Sequence, residues 1–460
     1  MMYHIPFAVR FWGLKSFPGF TGLLDGRYNG FPILWRVLLG PGLISGFPRL
    51  FILPNIAALS LLVIVSKRYL KLSPALSICC CFTFPVAILV FRSSVQDFFV
   101  NGLLLTAAIL FLAAPIVSLT TPERHKLGFS LLNNRDILGL ACLAFAANVK
   151  YQGLMGSCII FAAWLFFRYK DLRGASQQLQ LITSKRRVAI SFLLVVLIWA
   201  QPIVNTLVRG NPLYPVQIAG LPGTEPPTSS PIQYIPRIPL ITNAASYFMS
   251  VTEIDPLIRS KEGWSFKRSW HNHNHAKGEF MPGPNDYKIY TLTGGSNGLL
   301  IITLMVLSWA SLMEGAKNHE MKTSPLFKLR FRLLIASLCF MILPQSMELR
   351  YYMMTLFAPA MVAVSGDVNR WRQPSRYLVV IGVWFSLISP FLVPVYFWLR
   401  TGSWISADGL LSPDVYRNLP SVRDCSLKVK SWGGPIKKTY PLTTMDAIEA
   451  LGCHYRFTLK

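Results

Sequence analysis

The sequence predicts an all-α, polytopic membrane protein of about ten transmembrane helices, and three observations carry that reading. Hydrophobic residues form 52% of the 460 and charged residues only 14%, with a mean hydropathy of +0.43, a balance foreign to large soluble enzymes. Apolar stretches of membrane length recur from residue 50 to residue 399. The 45 Lys and Arg against 20 Asp and Glu, a net charge of +25, cluster in short loops between those stretches. That is the positive-inside pattern rather than one basic soluble face, so a nucleic-acid partner is not expected.

Taken in order, residues 1–49 form an amphipathic segment in which Arg10, Lys15, Asp25, Arg27 and Arg36 interrupt every window long enough to span. Tyr3, Phe7, Phe11, Trp12, Phe17 and Phe20 suit the headgroup boundary, which predicts two helices lying on the membrane surface. Apolar windows then mark spans at 50–66, 74–91, 98–119, 136–149, 152–168, 187–208, 297–313, 331–345, 351–366 and 376–399. Basic residues in the turns, among them Lys67, Arg68, Lys185, Arg186, Lys317 and Arg372, assign those turns to the cytoplasm. Ten spans then alternate without contradiction. The domains are an outer interfacial segment 1–49, a multi-spanning domain 50–400 and an extracytoplasmic tail 401–460. Residues 209–296 form one large outer loop, rich in Gly, Pro, Asn and Ser, where turns should dominate around a short interfacial helix near 240–252. The expected location is the cell's inner or plasma membrane, with the working face extracytoplasmic.

Cys79, Cys80, Cys81, Cys142, Cys158 and Cys339 fall inside apolar stretches, as small packing residues do. Cys425 and Cys453 stand in the tail and can pair if it faces an oxidising compartment. His271, His273 and His275 alternate, but no acidic or cysteine partner stands at ligand spacing, so a solvated loop is the preferred reading. No Gly-rich nucleotide cradle, nucleophile elbow or paired-carboxylate signature is present, which disfavours ATP-driven pumps and soluble hydrolases.

The informative polar residues lie where separate spans reach the outer side: Asp97, Lys150, Arg209, Glu348 and Arg350, with Asn101, Asn148, Gln152 and Asn205 slightly deeper. Charges near membrane depth are usually paired or face a polar cavity, and their shared level predicts a cavity open to the outer leaflet. Each taken singly also fits a snorkelling helix end. Arg209-Gly-Asn211-Pro-Leu-Tyr214-Pro forms a proline-stiffened exit from a span, where a guanidinium can meet a phosphate bidentately. Glu348-Leu-Arg350-Tyr351-Tyr352 forms a short outer turn with a second phosphate candidate, Arg350, beside belt-like tyrosines.

The opening Tyr3-His4-Ile-Pro-Phe-Ala-Val-Arg-Phe-Trp, the segment Asn148-Val-Lys150-Tyr-Gln-Gly, the GNPLYP turn and the ELRYY turn, in this order and on one side, resemble the GT-C superfamily of polytopic glycosyltransferases. That group includes dolichyl-phosphate-mannose protein mannosyltransferases and lipid A aminoarabinose transferases. The resemblance covers roughly residues 1–400. It implies transfer of a sugar, with inversion, from a polyprenyl-phosphate donor to a lipid, glycan or protein acceptor at the extracytoplasmic face. It makes Lys150, Arg209 and Arg350 donor-phosphate contacts, puts Tyr3 and His4 in the first interfacial helix, and places Asn211, Tyr214, Glu348 and Tyr351 around the cavity. Membrane lipids are implied as surroundings; no cofactor is established, a divalent metal being used only in some branches. The family's acidic base follows a first transmembrane helix, just before a segment like the one at Tyr3. This sequence begins at that segment, so the resemblance implies a truncated and inactive transferase unless another carboxylate serves. Asp25, the only carboxylate in residues 1–49, and Asp97 are the candidates. The competing readings are a flippase for lipid-linked oligosaccharide, which would also need a basic cavity, and a non-catalytic membrane scaffold. Sugar and acceptor stay open.

Overall fold

The computed structural model of the chain describes residues 8, 11–13, 28–45, 48–84, 87–88, 91, 96–113, 128–129, 133–174, 180–181, 185–214, 220–223, 298–317, 322–341, 343, 352–365, 371–401, 426–431 and 454–459. The described residues are mainly helical. In chain order the helices are α1 (Leu34–Ile44), α2 (Leu53–Tyr69), α3 (Pro74–Phe82), α4 (Asp97–Leu112), α5 (Asn134–Ala147) and α6 (Tyr151–Gly174). They continue with α7 (Lys185–Ile198), α8 (Ala200–Arg209), α9 (Gly298–Lys317), α10 (Pro325–Met341), α11 (Met354–Val364) and α12 (Arg372–Thr401). Two short parallel strand pairs accompany them: β1 (Gly128–Phe129) with β2 (Gln180–Leu181), and β3 (Ser426–Ser431) with β4 (His454–Leu459). The second pair gives the tail a regular element that its composition did not announce.

Each apolar stretch read from the sequence falls on a described helix, with boundaries moved by local chemistry. Ser73 caps α3 by accepting from the Leu76 amide at 3.3 Å, with Pro74 at the first helical position where its missing N–H costs nothing. A capping box fixes the start of α5: Asn133 Oδ1 accepts from the Asp136 amide at 3.0 Å, and Asp136 Oδ2 from the Asn133 amide at 3.1 Å. The 187–208 stretch is two helices, α7 and α8, bent by 50°. Pro202 explains the break, because it cannot donate to the carbonyl four residues back, that of Ile198. Gly210, at φ +67°, then ends α8 in the left-handed region that only glycine adopts cheaply.

Among the described residues, two helical runs are long and apolar enough to cross a membrane, Leu50–Tyr69 and Leu300–Lys317, and a third if α7 and α8 count as one span. At 16 and 11 residues, α4 and α11 run only ~24 and ~17 Å. Every residue of both is buried. Wrapped by neighbours, they meet protein along their whole length rather than lipid. α4 packs against α2, α5, α6, α10 and α11, and α11 against α3, α9, α10 and α12. Such close approach needs small residues. A Cβ on Gly153 would stand 2.0 Å from the Ala146 carbonyl oxygen, and one on Gly156 2.6 Å from a Leu104 methyl. The surface of α7 and α8 is apolar by contrast, with Phe192, Leu193, Ile203, Val204, Leu207 and Val208 all exposed.

Candidate functional site

The start of α4, the turn between α5 and α6, the end of α8 and the start of α11 meet at one end of the helix set and bring polar residues together there. Asp97 opens α4 and is 1% exposed. Its Oδ1 accepts from Lys150 Nζ across 53 residues of sequence, while its Oδ2 accepts from no described residue. One turn on, the Asn101 amide donates to the Asp97 carbonyl at 2.8 Å, and its oxygen accepts from the Met354 amide at 3.0 Å. The pair is thereby tied to the start of α11. The next residue of α4, Phe98, sits in an aromatic cluster, meeting Phe91 at 4.8 Å and Phe82 and Phe357 each at 5.8 Å between centroids. Asp97 is thus enclosed by protein, with the Lys150 ammonium as its charge partner among the described residues.

A second node adjoins the pair through Tyr151, the residue after Lys150. Tyr151 Oη donates to the carbonyl of Gly30 (2.7 Å) and lies in hydrogen-bond contact with that of Tyr214. The Asn205 amide reaches the same two carbonyls at 3.0 and 2.9 Å, and also Tyr151 Oη. The amide's two hydrogens and the single phenol hydrogen thus serve two buried carbonyls. Gln201 joins through Gly30 O at 3.2 Å and Asn205 Oδ1 at 3.0 Å. Three stretches distant in sequence are pinned here: residue 30, the start of α6, and α8 with the turn after it.

The amino-terminal segment closes over this end. Leu34 N donates to Asn148 O at 3.2 Å, and the Asn148 amide to Leu197 O at 2.6 Å. Arg36 lies over the Tyr28 ring at 4.4 Å and donates to the carbonyls of Tyr28 and Phe31. Burial pulls its guanidinium down to about 10, against the opposing influence of Tyr28. Nearby, at the bend between α7 and α8, Cys158, Phe161 and Leu165 of α6 face Val195, Ile198 and Trp199 across an apolar cavity of about 180 Å³.

Of the residues read from the sequence, Asp97 and Lys150 are in direct contact. Arg209 is exposed, with its guanidinium 5.4 Å from the Tyr214 ring centroid. Asn211 is fully buried and organises its own turn, accepting from the Leu213 amide at 2.9 Å and donating to Pro222 O at 2.7 Å. Tyr214 contributes its backbone carbonyl. Tyr3, His4, Asp25, Glu348, Arg350 and Tyr351 lie outside the described residues, as do His271, His273 and His275. Among the described residues no three His, Cys, Asp or Glu side chains converge as metal ligands would. Sequence reasoning passed over Tyr151, Gln201 and Gly30. The signal for Tyr151 was its place beside Lys150; a glycine carbonyl carries none. Compared with protein-family models, curated proteins and solved structures, the chain shows no match.

Proposed function

We propose that the chain is a multi-pass membrane glycosyltransferase of the GT-C kind, with about ten spans, which moves a sugar from a polyprenyl-phosphate donor to an acceptor hydroxyl at the extracytoplasmic face. The observation that carries the reading is the enclosed Asp97 carboxylate, with one oxygen on Lys150 and the other accepting from no described residue. The lysine ammonium has three donors. Held by Asp97, it can still turn a hydrogen toward a phosphate oxygen and stabilise the charge that develops there as the donor bond breaks. The second carboxylate oxygen takes the proton of the acceptor hydroxyl. The acceptor oxygen bonds to the anomeric carbon from the side opposite the phosphate, the carbon–oxygen bond to phosphate breaks, and its electron pair leaves with the polyprenyl phosphate. The configuration inverts. The apolar cavity at Trp199 and the exposed aliphatic face of α7 and α8 suit an isoprenoid chain beside this polar layer.

The flippase reading draws on the 50° break between α7 and α8. Transport built on matching halves needs a second such break, and among the described residues there is one. Asp97→Asn separates the two readings. In nanodiscs supplied with undecaprenyl-phosphate sugar, the transferase reading expects this variant to retain the donor but lose transfer, because the proton acceptor is gone while Lys150 remains. Undiminished transfer by Asp97→Asn overturns the assignment.

A further inference from the structure

The first turn of α12 carries two arginines one helical turn apart, Arg372 and Arg376, and no acidic residue. Both are half-buried. The Nε of each is enclosed and donates to nothing, and among the described residues neither side chain forms a hydrogen bond, ion pair or ring contact. Enclosed guanidiniums elsewhere find acceptors: Arg330 of α10 donates to Ser311 Oγ and Val362 O, and Arg332 to Leu112 O at 3.3 Å. Lys67, Arg68, Lys185 and Arg186 are instead exposed, as stems that carry a charge to water should be. Arg372 and Arg376 fit neither case. Like charges at i, i+4 also repel, so the pair lacks an anion.

The rest of the helix has two unlike faces. On the packed one, Val379 is buried, a Cβ on Gly382 would stand 2.5 Å from the Thr83 methyl, and Ser386 donates to Thr83 O at 2.9 Å. The other is apolar and exposed, with Tyr377, Val380, Ile381, Trp384 and Leu387. Arg376, Val380 and Trp384 follow one another at i, i+4, so this strip begins at a guanidinium. From Arg376 to Leu387 it runs ~16 Å, close to the ~15 Å of one leaflet's hydrocarbon. Helix pairs in membranes close on small residues, whereas Tyr377 and Trp384 would hold a second helix away. Positive charge heading an apolar strip one leaflet deep complements a lipid.

We propose that Arg372 and Arg376 hold the phosphate of an anionic glycerophospholipid whose acyl chains lie along Val380, Trp384 and Leu387. Guanidinium forks match phosphate oxygens in pairs, and two forks one turn apart bracket one phosphate. The inference rests on the chain lying in a bilayer and not on sugar transfer.

The test uses the full chain in nanodiscs of phosphatidylcholine with and without phosphatidylglycerol, retained lipid being counted by native mass spectrometry with no sugar donor present. The native chain should keep phosphatidylglycerol and gain thermal midpoint from it. The double variant Arg372→Gln, Arg376→Gln should retain roughly tenfold less, and Lys67→Gln, Arg68→Gln should retain as much as the native chain. In phosphatidylcholine alone the arginine variant should melt no lower, since neither side chain has a protein partner to lose. Gln373 is exposed between the two arginines, so Gln373→Glu supplies an internal anion that should displace the lipid without lowering the midpoint in phosphatidylcholine, a loss that misfolding does not mimic. Undiminished retention by the arginine variant or by Gln373→Glu overturns the site, as does a lower midpoint of either in phosphatidylcholine alone. Inorganic phosphate that protects as well as phosphatidylglycerol assigns the pair to the free ion and overturns the lipid. A chain that stays out of the discs overturns the bilayer reading together with the site, whereas arginine-dependent retention by a chain without transferase activity supports the site alone.

Discussion

Replacing Lys150 by Met probes the Asp97–Lys150 pair most severely, because the two partners differ in their access to water. Asp97 is 1% exposed and Lys150 12%. Without the ammonium, the buried carboxylate is left with no opposite charge among the described residues, and removing one partner of a buried pair costs about 3–5 kcal/mol. Asp97→Asn is the milder change. The lysine head keeps part of its hydration and the new amide still accepts a hydrogen bond, so a loss on the order of 1–2 kcal/mol is expected. Combining the two changes removes both charges, and replacing a whole buried pair by uncharged groups is often close to neutral. The double variant should then be more stable than Lys150→Met alone, with a coupling energy of roughly 2 kcal/mol or more. Reversible denaturant unfolding in mixed micelles, followed by tryptophan fluorescence, measures all four corners of the cycle. Losses below ~1 kcal/mol in both single variants that also add in the double variant would refute an enclosed ion pair at this position.

Three further outcomes are expected. Gly153→Ala forces a methyl against the Ala146 carbonyl oxygen, 2.0 Å from the ideal Cβ, and should cost about 1–3 kcal/mol or more in the same unfolding assay. Asn205→Ala leaves the Tyr214 carbonyl only the Tyr151 hydroxyl, which the Gly30 carbonyl shares alongside the Gln201 amide, a loss of about 1–3 kcal/mol that Asn205→Asp should not rescue, since a carboxylate cannot donate. Cys425 and Cys453 lie outside the described residues; the pairing that the sequence allows them in an oxidising compartment should appear in non-reducing peptide mass spectrometry as a linked pair with no free thiol at either position.

Helix positions were legible because length and hydropathy are local properties. Each of the ten apolar stretches overlaps a described helix, and 187–208 overlaps two. The division of 187–208 was legible too, in Pro202, but a window average of hydropathy hides a single missing donor. Why α4 and α11 are so short is not local: their enclosure depends on which helices surround them. At the candidate site, the sequence indicated that Asp97, Lys150, Asn148 and Asn205 share one level, since each ends or begins an apolar stretch. It did not indicate that Asp97 meets Lys150 or that Asn205 meets Tyr151, because partners 53 and 54 residues apart are chosen by packing. Asn211 shows the reverse case. Its side chain bonds the turn in which it sits, as a short amide between glycine and proline readily does. At the start of α5, Asn133-Asn-Arg-Asp136 reads as a capping box, but nothing local brings Arg168 to within 3.9 Å of Asp136.

The most direct measurement of the central claim is the anomeric configuration of a product formed by the native chain in nanodiscs from a polyprenyl-phosphate sugar of known configuration, read by NMR. A glycosylated product of inverted configuration is expected, with one polyprenyl phosphate released for each sugar transferred. A product that retains the donor's configuration, or donor that reaches the opposite leaflet intact with no transfer, would contradict it.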